Sequence, residues 1–140
     1  VAWLGYGGLL PFVGTALAIV VDPHHADLWS DALMAYGAVI LSFVGALHWG
    51  FAMNLPSLDA GRRRACFIWS TVPALMAWPA TLLVPLDAGV LLVTGFLLHY
   101  WQDRRLAARA RLPGWYLPLR LRLTVVACAS LLAGAFLVPA

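Results

Sequence analysis

The chain contains no lysine and no glutamate: all nine basic residues are arginine and all six acids are aspartate. Charged residues make up 11% of it, against about 25% in soluble domains. That is too little charge to cover a water-facing surface. Cysteine is nearly absent as well. Cys66 and Cys128 lie in different apolar runs, which excludes a disulfide framework or a CxxC redox motif and leaves two small buried hydrophobes. There is no GxSxG, no HExxH, no P-loop and no pair of acids spaced for acid–base work, so no reaction is proposed by any motif. No long-period repeat is present.

What is present is apolar. Of 140 residues, 63% are hydrophobic. Disorder needs low hydrophobicity, so the remaining class is an integral membrane protein. Five apolar runs can be marked, at 3–21, 33–55, 66–84, 86–101 and 120–138. A helix needs about 20 apolar residues to cross a hydrocarbon core about 30 Å thick, and the fourth run is the shortest. "VPLDAG" at 84–89 separates runs three and four, with Pro85 ending one helix and Asp87 capping the next. The expected fold is all-α: one integral membrane domain over 1–140, a bundle of five transmembrane helices.

The arginines set the orientation. Arg62, Arg63 and Arg64 lie between runs two and three; Arg104, Arg105, Arg109, Arg111, Arg120 and Arg122 lie between runs four and five or at the start of the fifth. "DPHHADLWSD" and "VPLDAG" hold no basic residue. Five crossings put every arginine on one side, which the positive-inside rule makes cytoplasmic, with the N-terminus cytoplasmic and the C-terminus outside. The formal charge of +3 is thereby explained without nucleic acid. The first run has no basic residue before it, so no cleaved signal peptide is expected. Arginine-only and single-asparagine usage suggests a GC-rich, bacterial genome, and hence a bacterial inner (cytoplasmic or intracytoplasmic) membrane.

"QDRRLAARARLPGWYLP" at 102–118 reads as an amphipathic interfacial segment continuing the fourth helix. Arg104, Arg105, Arg109, Arg111 and Arg120, with Trp115 and Tyr116, suit the headgroup region or a partner surface. A plain positive-inside loop explains the same residues.

"LSFVGALHWGFAMN" at 41–54 carries an ionisable ring inside an apolar run. His48 shares a helical face with Leu41, Gly45 and Ala52, and small residues beside it favour a helix-facing position. Counted from the span centres at 1.5 Å per residue, His48 and His99 lie at one depth, about 6–8 Å toward the arginine side. Tyr6, Trp69 and Thr124 fall near the same layer, and Asp103 follows His99 by one turn and can orient its ring. Three readings follow. One is a structural hydrogen-bond cluster. One is a site for haem, quinone or a tetrapyrrole, with His48 and His99 as ligands and Gly45 and Gly95 leaving room for a flat ring. The third is a proton or ion path, which lacks a carboxylate at mid-span.

Asp22, His24, His25, Asp27 and Asp31 in the outer loop are of metal-ligand type but read as a solvated loop. Pro11, Pro73 and Pro79 inside the spans are expected to kink them. Gly5, Gly7 and Gly8 allow local unwinding, and Gly14/Ala18, Ala46/Gly50 and Ser130/Gly134 have small-xxx-small spacing.

"GLLPF", "YGAVILSFVGALHWG", "PALMAWPA" and "WYLPLRLRLT" occur in that order along the chain. Together they resemble the uncharacterised bacterial and mitochondrial membrane proteins that include transmembrane protein sixty-nine, of the domain-of-unknown-function 3429 type. The resemblance covers nearly the whole chain. It implies a five-helix inner-membrane protein, carries over no catalytic residue, and directs attention to Tyr36, Ser42, Gly45, His48, Trp49, Gly50, Trp115, Tyr116 and Arg120. The expected function is that of a non-catalytic accessory or assembly subunit, packing laterally in the lipid bilayer against a larger respiratory or photosynthetic complex. The alternative is a haem-, quinone- or tetrapyrrole-binding protein using His48 and His99.

Overall fold

The structure, a computed structural model, describes residues 2–56, 58–109 and 112–137. They form helices and connections, with no strand among the described residues. In order these are α1 (Ala2–Gly7), α2 (Leu10–Val21), a 3₁₀ turn (Pro23–His25), α3 (Ala26–Asn54), α4 (Ala60–Ala80), α5 (Pro85–Arg109) and α6 (Tyr116–Leu137). The stretches Trp3–Val21, Pro23–Asn54 and Tyr116–Leu137 are long and apolar enough to cross a membrane. α4 and α5 have the length but carry arginines, prolines and polar side chains that dilute their apolar character.

The first apolar run is interrupted. Gly8 and Leu9 form a turn between α1 and α2, and the Tyr36 hydroxyl donates to the Gly8 carbonyl at 2.7 Å. A backbone acceptor released by the break is thus satisfied from a neighbouring helix. Pro11 lies in the first turn of α2, where no backbone N–H is needed, so it opens a helix and kinks none. Pro73 and Pro79 do lie inside α4. The connection before α5 also differs from expectation. α4 has ended by Ala80, and Pro85 is the first residue of α5, not the end of the preceding helix.

The fourth helix runs on into the 102–118 segment, as its expected continuation, but part of that continuation is buried. Its apolar run stops at 101, but α5 continues to Arg109, 25 residues in all, with Asp103 and Leu106 buried. The part of the expected interfacial segment up to 109 is therefore bundle helix. The side chain of Arg109 and the whole of Arg111 lie outside the described residues.

Phe12, Leu33, Leu41, Leu92, Phe96 and Leu131 are buried along the bundle axis. Phe12 meets Tyr36 edge-on at 4.9 Å between ring centroids. Val39, Phe43, Leu97 and Val125 point outward and are more than half exposed, the arrangement lipid requires and water disfavours. Between helices in lipid the attraction is close packing and not water exclusion, so the small residues decide the approach. A Cβ on Gly45 would sit 2.7 Å from two carbons of the Pro73 ring, and one on Gly95 would sit 2.6 Å from Leu41 Cδ2. α3 therefore packs directly against α4 at Pro73 and against α5.

Candidate functional site

α3 ends, α4 begins, α5 ends and α6 begins at the same end of the bundle. Four helices thus bring polar side chains into one layer there. Asp103, fully buried, is its centre. His48 Nε2 donates to Asp103 Oδ1 at 2.8 Å, and the Tyr116 hydroxyl donates to the same oxygen at 3.0 Å. Arg120 Nε donates to Oδ2 at 3.0 Å. His99, one turn before Asp103 on α5, has its Nε2 at 3.7 Å from Oδ2, too far for a hydrogen bond. Its other nitrogen, Nδ1, accepts from Trp69 Nε1 at 3.0 Å.

This geometry assigns the protons. A carboxylate only accepts, so His48 carries its proton on Nε2. Trp69 only donates, so His99 Nδ1 is a lone pair and the His99 proton is also on Nε2. One carboxylate and one guanidinium balance each other, and both imidazoles complete the cluster without adding charge. Charge in a membrane interior survives when paired in this way. His99 Nε2, Arg120 Nη2 and Thr124 Oγ1 are buried with no hydrogen-bond partner among the described residues.

Of the residues singled out from sequence, His48, His99, Trp69 and Asp103 meet. Tyr6 does not: it is exposed and accepts from Arg122 Nη1 at 3.0 Å. Gly45 and Gly95 are in the layer's neighbourhood, but Pro73 and Leu41 fill the space their missing side chains release. The imidazoles of His48 and His99 pack edge to face with centroids 4.9 Å apart. Axial ligands of a haem lie on opposite faces of the macrocycle, so no haem or tetrapyrrole fits between these two rings. His48, His99 and Asp103 do place one ligand-type atom each within 4.8 Å of the others.

Tyr116 and Arg120 are also corrected, because both are buried on Asp103 and do not face headgroups or a partner. The sequence held a signal for this. Arg120 and Arg122 are two residues apart, which puts them on opposite sides of a helix, so both cannot face the headgroups. Arg104, Arg105 and Trp115 are exposed as expected, with the Arg105 guanidinium 4.8 Å from the centre of the Trp101 ring. Arg63 had no assigned role. Its guanidinium donates to the carbonyls of Ala52, Leu55 and Leu58, closing the C-terminal end of α3.

A cavity of about 330 Å³ lies against the cluster, between α3, α4 and α5. His48 and Trp69 border it from the cluster side; Cys66, Ile68 and Val72 give apolar walls; Arg62, Gln102 and Arg105 border it at the arginine end. Cys66, Gln102 and Leu106 had no functional signal in sequence, since each is ordinary in its own helix.

Residues 1–136 match the model of a family described as Protein of unknown function (DUF3429). The chain belongs to this family. A relative named Transmembrane protein 69 from Xenopus tropicalis is 41% identical over 135 residues, 92% of this chain and 51% of its own length. Transmembrane protein 69 from Mus musculus is 29% identical over 131 residues, 91% of this chain and 52% of its own. The chain spans about half the length of these relatives. No solved structure matches. These relatives and the lipid-suited helices make this DUF3429 member a membrane protein.

Proposed function

We propose that the protein is a non-catalytic membrane protein that holds a small lipid-soluble molecule in the cleft between α3, α4 and α5. The observation that carries this reading is a cavity of about 330 Å³ with apolar walls that borders an imidazole fixed by a buried carboxylate. Binding sites have this composition: mostly apolar, with a few oriented polar groups. A quinone-sized head fits the volume, whereas the haem reading has no space. The chain crosses the membrane five times, with the arginine end cytoplasmic, the N-terminus inside and the C-terminus outside. A bacterial inner membrane is the location proposed, supported by the arginine-only, single-asparagine composition.

The test is extraction. Protein purified in mild detergent should carry a small lipophile, seen by mass spectrometry, that is lost when Ala65→Trp fills the exposed edge of the cavity. Identical extracts from both proteins would count against the reading.

A second reading, an accessory subunit of a larger energy-transducing complex, has its own support. Added Cβ atoms at Gly14 and Gly50 meet nothing within 4 Å. With Ala18 and Ala46 they give α2 and α3 open small-residue faces for another helix. Isolation from native membranes solely as a monomer would argue against it.

A further inference from the structure

The proton arrangement of the cluster specifies what kind of head group the cavity accepts. We propose that the ligand is a hydroxyl-bearing amphiphile whose O–H donates to His48 Nδ1; this rests on the reading of the cavity as a binding site. His48 is the one imidazole that both touches Asp103 and borders the cavity. Its Nε2 proton is committed to Asp103 Oδ1 at 2.8 Å, and Arg120 already balances that carboxylate from 3.0 Å. A second positive charge in the layer would be unpaired in a membrane interior. The ring therefore keeps one proton, and Nδ1 is an acceptor.

The remaining walls fit the rest of such a molecule. The Trp69 indole is held in place by its bond to His99, and Cys66 and Val72 add apolar surface for a ring or short chain. Ile68 borders the cavity and is 61% exposed on the outer surface, which gives a hydrophobic tail a way out between α4 and α5 into lipid. Arg62 and Arg105 lie at the arginine end, away from the tail. A head carrying only carbonyl or ether oxygens would set acceptor against acceptor at Nδ1. It would leave both groups without a hydrogen while removing them from water.

The experiment uses the full chain in lipid nanodiscs, with empty nanodiscs subtracted, and three probes that share a ten-carbon tail. These are a hydroquinone kept reduced, the corresponding quinone, and the O,O-dimethyl ether of the hydroquinone. Loss of a buried hydrogen bond at the site is on the order of tenfold to a hundredfold in affinity. The hydroquinone should bind tighter than either analogue by that factor, and Ala65→Trp should abolish binding of all three. Equal affinities, or tighter binding of the quinone, would overturn the assignment of Nδ1 as an acceptor while leaving the cavity reading intact. Binding of none of the probes would overturn the ligand class, and the cavity reading would then stand or fall on the native lipid extract. The series runs on the unaltered protein, so it does not depend on how a cluster variant folds.

Discussion

Replacing Asp103 by Asn should destabilise the bundle far more than the loss of one oxygen suggests. Asp103 accepts from His48, Tyr116 and Arg120 at 2.8, 3.0 and 3.0 Å with no exposure to solvent. An amide of the same shape keeps one acceptor and turns a donor toward donors. It also removes the negative charge that balances Arg120. Breaking a buried ion pair from one side costs about 3–5 kcal/mol, a large share of a total stability of about 5–15 kcal/mol. Removing both partners is a different perturbation. Asp103→Leu combined with Arg120→Met leaves no uncompensated charge, only the buried His48 and Tyr116 donors without an acceptor at about 1–3 kcal/mol each, and should be more stable than Asp103→Leu alone by about 2 kcal/mol or more. Reversible unfolding in mixed micelles, followed by tryptophan fluorescence, reads both. The exposed helix cap Asp59, which accepts from the Arg62 backbone N–H, is the control, with Asp59→Ala expected to cost about 1 kcal/mol. If Asp103→Asn lost less than the cap variant, or if the double variant were as unstable as Asp103→Leu alone, Asp103 would not be the hub described.

Three further predictions address packing, the outer loop and topology. Gly45→Ala should cost about 1–3 kcal/mol, because its methyl meets the rigid Pro73 ring at 2.7 Å, while Gly95→Ala meets the flexible end of Leu41 and should be near neutral; equal effects in the same unfolding assay would mean the α3–α4 contact is looser than described. In the outer turn, hydrogen bonds from His25 and then Trp29 hold the Asp22 carboxyl below its ordinary value of 3.8. A lowered folded value means the turn is intact above that pH and opens as pH falls through the lowered value, so the Trp29 indole N–H resonance should shift only below 3.8, and a transition above it contradicts the bond to Asp22 Oδ2. In a background lacking Cys66 and Cys128, cysteines at Ala60 and Ala108 should label from one side of the membrane and cysteines at His24 and Thr81 from the other; labelling of 60 and 108 from opposite sides would break the five-crossing arrangement.

Much of the architecture was legible because lipid imposes few solutions. Long apolar runs, and arginines gathered between alternate runs, give the helices and their common end directly. The depth count also placed His48, His99 and Trp69 together, since rise per residue is the same in every helix. The differences have one origin: residue type does not report which way a side chain faces. Tyr116 and Arg120 read from the sequence as interfacial because they lie among arginines, yet both are buried on Asp103. Mutual pairing removes the penalty that residue type alone implies, and pairing between α5 and α6 is not visible along one helix. Tyr6 failed for the opposite reason, since depth gives height along the bundle but not direction around it. The glycines were read as leaving space, whereas Pro73 and Leu41 use that space for packing. The cavity was the least legible feature, being bounded by side chains from three helices that have no common sequence pattern.

The most direct measurement is the ¹⁵N spectrum of the histidine rings in lipid bilayers at neutral pH, assigned with His48→Gln and His99→Gln. Both His48 and His99 should show a protonated Nε2 and an unprotonated Nδ1, as Asp103 and Trp69 together require. A proton on Nδ1 of either ring would contradict the cluster and the site built upon it.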